Sequence, residues 1–153
     1  MFNRFTKDAR QVVEQAVEIA RELGAPSVEA EHLLLAVSRA RSTVARVLHD
    51  AQLDYDSLVR ALDREAARSL AAVGVESERP RFSPFLDRPR FGASAKLALE
   101  RSLKVAVARK DNHIQSGHIA LAVLRATTGT VPRSLECADI DRAELASNVE
   151  RAL

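Results

Sequence analysis

Residues 30–37 read AEHLLLAV, and residues 116–123 read SGHIALAV. His118 stands 86 positions after His32, and the echo runs well beyond these two stretches. At the same offset Phe5 meets Phe91, Ala9 meets Ala95, Glu14 meets Glu100, Val17 meets Leu103 and Arg39 meets Arg125. One residue inserted near Thr127, Thr128 and Gly129 moves the offset to 87. Val44 then meets Val131, Leu48 meets Leu135, Asp54 meets Asp141 and Leu58 meets Leu145. Self-similarity at a fixed step marks a duplicated structural unit and decides the architecture before any single residue does. A chain of 153 residues suffices for one domain built of two tightly packed halves.

The repeated unit is helical. Ala9, Val12, Val13, Ala16, Val17, Ala20 and Leu23 follow the i, i+3, i+4, i+7 rule of a one-sided helix. Thr6 is placed to cap it, Asp8 suits its first turn, and Gly24 with Pro26 ends it. The second copy of the stripe is Ala95, Ala98, Leu99, Ser102, Leu103 and Ala106. Next come Glu31 to about Arg39 and Gly117 to about Arg125, apolar on every side and therefore predicted to be buried all round. A third helix spans about Ser42 to Ala51, with Val44, Val47 and Leu48 inward. Its partner spans about Val131 to Ala138, with Pro132 at the first helical position. A fourth starts near Asp54 and turns Leu58, Leu62 and Ala66 inward; its partner starts near Asp141. No segment alternates with period two, so no sheet is predicted. The fold class is all-α, two tandem four-helix repeats related by a pseudo-twofold. The repeats are residues 1–72 and 91–153.

Residues 73–90 join the halves, and Pro80, Pro84 and Pro89 forbid a continuous helix there. Phe82, Phe85 and Phe91 lie in or beside this linker, while Phe2 and Phe5 precede the first helix. All five phenylalanines thus fall outside the helical interiors. They are predicted to pin the linker and the N-terminus onto the body, or in part to line a ligand groove.

Several function classes are poorly supported. The net charge of +2 is too small to argue for nucleic acid. The linker arginines Arg79, Arg81, Arg88 and Arg90 are diluted by Glu76, Glu78 and Asp87. A basic helical regulatory or nucleic-acid-binding protein is the alternative reading they leave open. A single Cys137 excludes an internal disulfide and fits a reducing, cytoplasmic setting. The opening MFNRFTKDAR has no apolar run after its basic residues and does not read as a signal peptide. No apolar stretch reaches the roughly 18 residues of a membrane span. His113 and His118 lack a third ligand, so no metal is implied. There is no Gly-Lys dipeptide and hence no phosphate loop, no nucleophile–base pair, and no cofactor signature. The chain is not read as an enzyme.

The opening MFNRFTKDAR, the doubled [AS]-x-H-[LI]-x-L-A-V pattern and the duplicated unit together resemble the N-terminal domain of Clp/Hsp100 chaperones, ClpC above all. That family opens M-F-x-R-F-T-x-x-A and carries the repeat core G-T-E-H-[IL]-L-L-G-L. The resemblance covers the chain from Phe2 to Leu153. It implies a helical docking platform that receives substrate and adaptor proteins ahead of an AAA+ unfoldase. The chain stops where the second repeat stops, and its departures from the repeat core favour a diverged stand-alone protein over an excised domain.

The resemblance also implies two kinds of site. In ClpC-like domains a Thr-Glu pair before the histidine resembles a phosphoarginine pocket, in which hydroxyl and amides take phosphate and carboxylate takes guanidinium. Here the first copy has Ala30 and Glu31, and the second has Ser116 and Gly117, so each has lost a different component. His32 and His118 are read as structural, bonding across the junction of the halves. The second site is a face for antibiotic cyclic peptides, matched by Phe2, Arg10 and Val13 and by Lys96, Leu99 and Glu100. Lys96 and Glu100 are spaced to form an i, i+4 ion pair. The resulting reading is a non-catalytic peptide- and protein-binding module. It would modulate or protect the Clp protease, with Clp components, adaptors, substrates or cyclic peptides as partners.

Overall fold

The computed structural model describes residues 2–74 and 88–153. The sequence readings on Pro80, Pro84, Phe82, Phe85, Arg79, Arg81, Glu76, Glu78 and Asp87 lie outside the described residues. So does the side chain of Phe2.

Among the described residues eight α-helices form two runs of four. In the first half α1 is Lys7–Glu22, α2 Ala30–Arg39, α3 Thr43–Asp50 and α4 Tyr55–Ala72; in the second α5 is Ala93–Ala108, α6 Ser116–Leu124, α7 Thr130–Cys137 and α8 Arg142–Arg151. Local chemistry sets their ends. The side chains of Thr6, Ser42, Asp54 and Asp141 accept a backbone N–H from the first turn of α1, α3, α4 and α8. Gly24 follows α1 at φ +68°, a left-handed conformation that glycine adopts at little cost.

The duplication is visible in what is buried. On α1 the buried residues are Ala9, Val12, Val13, Ala16, Val17, Ile19 and Ala20. On α5 they are Ala95, Ala98, Leu99, Ser102, Val105 and Ala106. Each of these six stands 86 positions after its counterpart; the stripe breaks only at Leu103, which is 38% exposed where Val17 is 1% exposed. The predicted inward role of Leu103 is therefore corrected, and Val105, absent from the predicted stripe, takes an inward place. The two all-apolar helices are buried as expected. Every residue of α6 is buried, and seven of the ten in α2 are. They pack on each other at the centre, where α2 also meets α5 and α7, and α6 meets α1 and α3. At the periphery α4 packs on α7 and α3 on α8. Among the described residues each of these cross-half helix pairs thus has its pseudo-twofold mate.

Three expectations need correction. A small sheet exists: β1 (Ser27–Val28) pairs in parallel with β2 (Arg90–Phe91), Val28 opposite Phe91. Its mate is the isolated bridge between Phe5 and Ile114. Thr6 N–H donates to the Ile114 carbonyl at 3.0 Å, and Gly92 N–H to the Val28 carbonyl at 2.8 Å. Each half thus lends its leading extended residues to the other. Two-residue strands are too short to show alternation in a sequence. Pro132 is the third residue of α7, not the first; its missing N–H is tolerated there because first-turn amides have no helical partner. Ala66 is only half-buried, because beyond Glu65 the long α4 leaves the core. Among the described residues no helix is long and apolar enough to cross a membrane.

Candidate functional site

The N-termini of α2 and α6 carry the echoed motif, and the pseudo-twofold places each beside the first helix of the other half. Ala30 N–H donates to Ser94 Oγ of α5 at 2.9 Å. Ser94 in turn donates its hydroxyl and its N–H (3.2 Å) to the Glu29 carboxylate. Ser27 Oγ donates to the same carboxylate at 2.7 Å. At the other junction Ser116 N–H donates to Asp8 Oδ2 of α1 at 3.2 Å. Asp8 and Ser94 are equivalent positions, as are Ala30 and Ser116. Each junction therefore holds one carboxylate, contributed by opposite elements.

Those carboxylates are tuned. Burial raises the pKa of Asp8, yet the bonds from Thr6 and Ser116 outweigh it and hold the group below its ordinary 3.8. Burial likewise raises Glu29, and the bonds from Ser94 and Ser27 hold it below its ordinary 4.5. Close approach makes this geometry: a β-carbon on Gly92 would lie 1.8 Å from Glu29 Oε1. Depressed folded pKa values give stability that is complete above the unfolded values and lost as pH falls through the folded ones. The melting temperature is expected to hold down to about pH 5 and to fall below about pH 4.5. The double variant Asp8→Asn, Glu29→Gln should melt lower at pH 7 and decline less steeply in acid. Thermal melts across pH check this, and parallel acid limbs would show that the junction carboxylates contribute nothing.

The two histidines complete the helix starts. His32 Nδ1 accepts Glu29 N–H at 2.8 Å, and His118 Nδ1 accepts Gln115 N–H at 2.9 Å. Both rings are buried, and both roles are structural. The bond expected from His118 across the junction is not made. Its Nε2 lies 2.8 Å from Asp111 Oδ2, in its own half. Bonds from His118 and Arg109 hold Asp111 below the ordinary carboxylate range.

Two grooves open beside these helix starts, and they are equivalent. The first, about 460 Å³, runs along α1 and the α2–α3 turn to Ser116, with Gln11, Gln15 and Arg41 in its wall. The second, about 390 Å³, runs along α5 and the α6–α7 turn to Glu29, Ala30 and Glu31, with Leu97 and Arg101 where the first has Gln11 and Gln15. Gly117 does not line the first groove. It is buried, and a β-carbon there would lie 2.3 Å from Leu153 Cδ2 and 3.0 Å from Val44 Cγ2. A side chain at that position would require Leu153 to shift.

The residues predicted for the cyclic-peptide face fall into two sorts. Arg10, Lys96 and Glu100 are exposed; Val13 and Leu99, equivalent to each other, sit at the core edge at 9% and 5% exposure. Phe2 opens a 3-10 turn, Phe2–Arg4, ahead of α1. The expected Lys96–Glu100 pair is replaced by Glu100 with Lys104, at 3.4 Å. Among the described residues no three His, Cys, Asp or Glu side chains are grouped to hold a metal.

The family model described as the Clp repeat (R) N-terminal domain matches residues 4–88, more than half of the chain. This chain belongs to the Clp N-terminal domain family. Similarity extends through both repeats. The chloroplastic chaperone protein ClpC2 of Oryza sativa subsp. japonica is 31% identical over 154 residues, covering 100% of this chain and 16% of that protein. The chloroplastic ClpC1 of Arabidopsis thaliana is 32% identical over 152 residues, covering 99% and 15%. The chain therefore spans only a small part of the length of these relatives. Among solved structures, the N-terminal domain of Arabidopsis thaliana ClpD superposes with a TM-score of 0.71 at 18% identity, covering 99% of this chain and 95% of that one. The Hsp104 N-terminal domain of Candida albicans gives 0.67 at 20% identity, covering 96% and 89%. At such identities the superpositions speak for the Clp N-terminal fold alone.

Proposed function

We propose that the chain is a non-catalytic docking module that binds substrate or adaptor proteins, or antibiotic cyclic peptides, and so modulates or protects a Clp protease. The observation that carries the reading is the matched pair of surfaces on α1 and α5. Arg10, Val13 and Glu14 on one stand at the positions of Lys96, Leu99 and Glu100 on the other, with the charged members exposed above an apolar edge. Such a surface offers a ligand charge at its rim and an apolar residue beneath. Phe2, at the head of α1, supplies the rigid aromatic anchor in this reading.

Phosphoarginine is not the favoured ligand. A phosphate approaching α6 meets Asp8 on the first amide, and one approaching α2 meets Ser94 backed by Glu29. Charge-assisted bonds are worth about 1.5–3 kcal/mol, so losing one per pocket costs roughly tenfold or more in affinity. Calorimetry with a ClpC-directed cyclic peptide and with free phosphoarginine tests both statements. The cyclic peptide is expected to bind, and Phe2→Ala to weaken it roughly thirtyfold with the melting temperature almost unchanged. No binding by the wild type, or a much earlier melt of the variant, removes the proposed role of Phe2. Low-micromolar phosphoarginine affinity would show that other residues rebuilt the pocket.

A further inference from the structure

The duplication provides an internal control for the surface of each half. Helices α1 and α5 have 16 residues each and stand at equivalent positions. Lys7, Arg10 and Arg21 against Asp8, Glu14, Glu18 and Glu22 leave α1 one negative charge in excess. Lys96, Arg101 and Lys104 against Glu100 alone leave α5 two positive charges in excess. The apolar content diverges in parallel. Among the described residues four large apolar side chains are exposed, and three of them are on α5: Leu97 at 42%, Leu103 at 38% and Val107 at 57%. Their counterparts on α1 are Gln11, the buried Val17 and Arg21. Shared ancestry and shared packing therefore do not explain the exposed face of α5.

The residues of that face are in register. Lys96, Glu100, Leu103 and Val107 follow the i, i+4, i+7, i+11 spacing of one helical stripe. Its first half is charged and its second half apolar. Leu103 and Val107, one turn apart, form a step into which a partner helix can set an apolar side chain. Beside the step stands Lys104, tied to Glu100, and two turns before Leu103 on the same stripe stands Lys96, which has no ion-pair partner among the described residues. We propose that this stripe docks an acidic amphipathic helix of a partner protein, its apolar residues on Leu103 and Val107 and its carboxylates on Lys96 and Lys104. An anionic membrane surface fits less well, because Glu100 sits in the middle of the stripe. A partner helix can leave a neutral or basic side chain at that point.

The inference rests on the reading of this surface as a binding face, and it extends that face toward the C-terminal end of α5. The test is a titration of the full chain, followed by backbone NMR, with a designed helical peptide of about 16 residues carrying leucines one turn apart flanked by glutamates. Amides of α5 from Lys96 to Val107 are expected to shift, and added salt should weaken the binding. Leu103→Ser with Val107→Ser should weaken it about tenfold or more, since two exposed apolar contacts are lost. Both side chains are exposed, so the variant should keep its melting temperature and its cyclic-peptide affinity. Shifts elsewhere, equal binding of a lysine-for-glutamate peptide, or an undiminished double variant overturn the proposal. So does tighter binding to phosphatidylserine vesicles, or a concentration-dependent dimer abolished by the same substitutions. If the cyclic peptide binds and the acidic helix does not, the extension fails while the docking-module reading stands. If neither binds, both fail.

Discussion

Separated at the linker, residues 1–72 and 91–153 are each expected to lose most of their helical circular-dichroism signal and to recover it when mixed in equal amounts. A helix buried on all sides needs neighbours on all sides. All nine residues of α6 are buried, and it draws its cover from α5, α7 and α8 of its own half and from α1, α2 and α3 of the other. Taking the first half away exposes Ile119, Leu121 and Leu124 or their neighbours to water, at roughly 1.5–3 kcal/mol for each large side chain uncovered. A unit of about 60–70 residues has little stability to spare. The cut also strands the backbone groups that reach across, Thr6 to Ile114 and Gly92 to Val28. Mixing should restore all of these contacts together, as a one-to-one complex that melts in one step. A monomeric fragment with its own cooperative melt would show instead that each repeat is a domain and that the echo marks two domains side by side.

The sequence declares what is local and what is repeated. Helix starts at Thr6, Ser42, Asp54 and Asp141 were legible because a capping side chain acts on an amide two or three residues away. The burial of α2 and α6 was legible because their composition leaves no polar face. What the sequence hides is which residue of one half meets which residue of the other. Asp8 and Ser116 are 108 positions apart, and neither looks unusual in its own helix. Once the pseudo-twofold is known, the bond between Ser94 and Ala30 leads straight to them, since both pairs occupy the same two equivalent places. The small sheet was hidden for a simpler reason, its two-residue strands. Leu103 misleads because it stands at the position equivalent to the buried Val17. The repeat preserves the position and not the cover over it. The departures of the phosphoarginine-type positions were visible as letters, but their cause was not. Gly117 packs against Leu153; outside those positions, Gly92 leaves room for the Glu29 carboxylate.

Phe5→Ala is expected to cost about 3–5 kcal/mol and to lower the melting temperature by roughly 10 °C or more. Phe5 is 3% exposed and belongs to the continuous core, whereas its counterpart Phe91 is only half-buried. Both occupy the same place in the same strap, one residue before a helix cap and opposite Ile114 or Val28. The backbone bonds of the strap survive either substitution, because Thr6 N–H and Gly92 N–H still donate and Ile114 N–H still donates to the Arg4 carbonyl at 2.8 Å. The difference between the two variants therefore isolates ring burial from strand pairing. Phe91→Ala should cost clearly less, in proportion to the area it hides. Phe5→Leu should recover most of the loss, since it restores volume without the ring. Chemical denaturation with an unchanged slope would confirm that the folded state is the same in all three. If Phe5→Ala costs under about 1 kcal/mol, the strap is held by its backbone bonds. If Phe91→Ala costs as much as Phe5→Ala, the two halves are closer to true equivalents than their burial says.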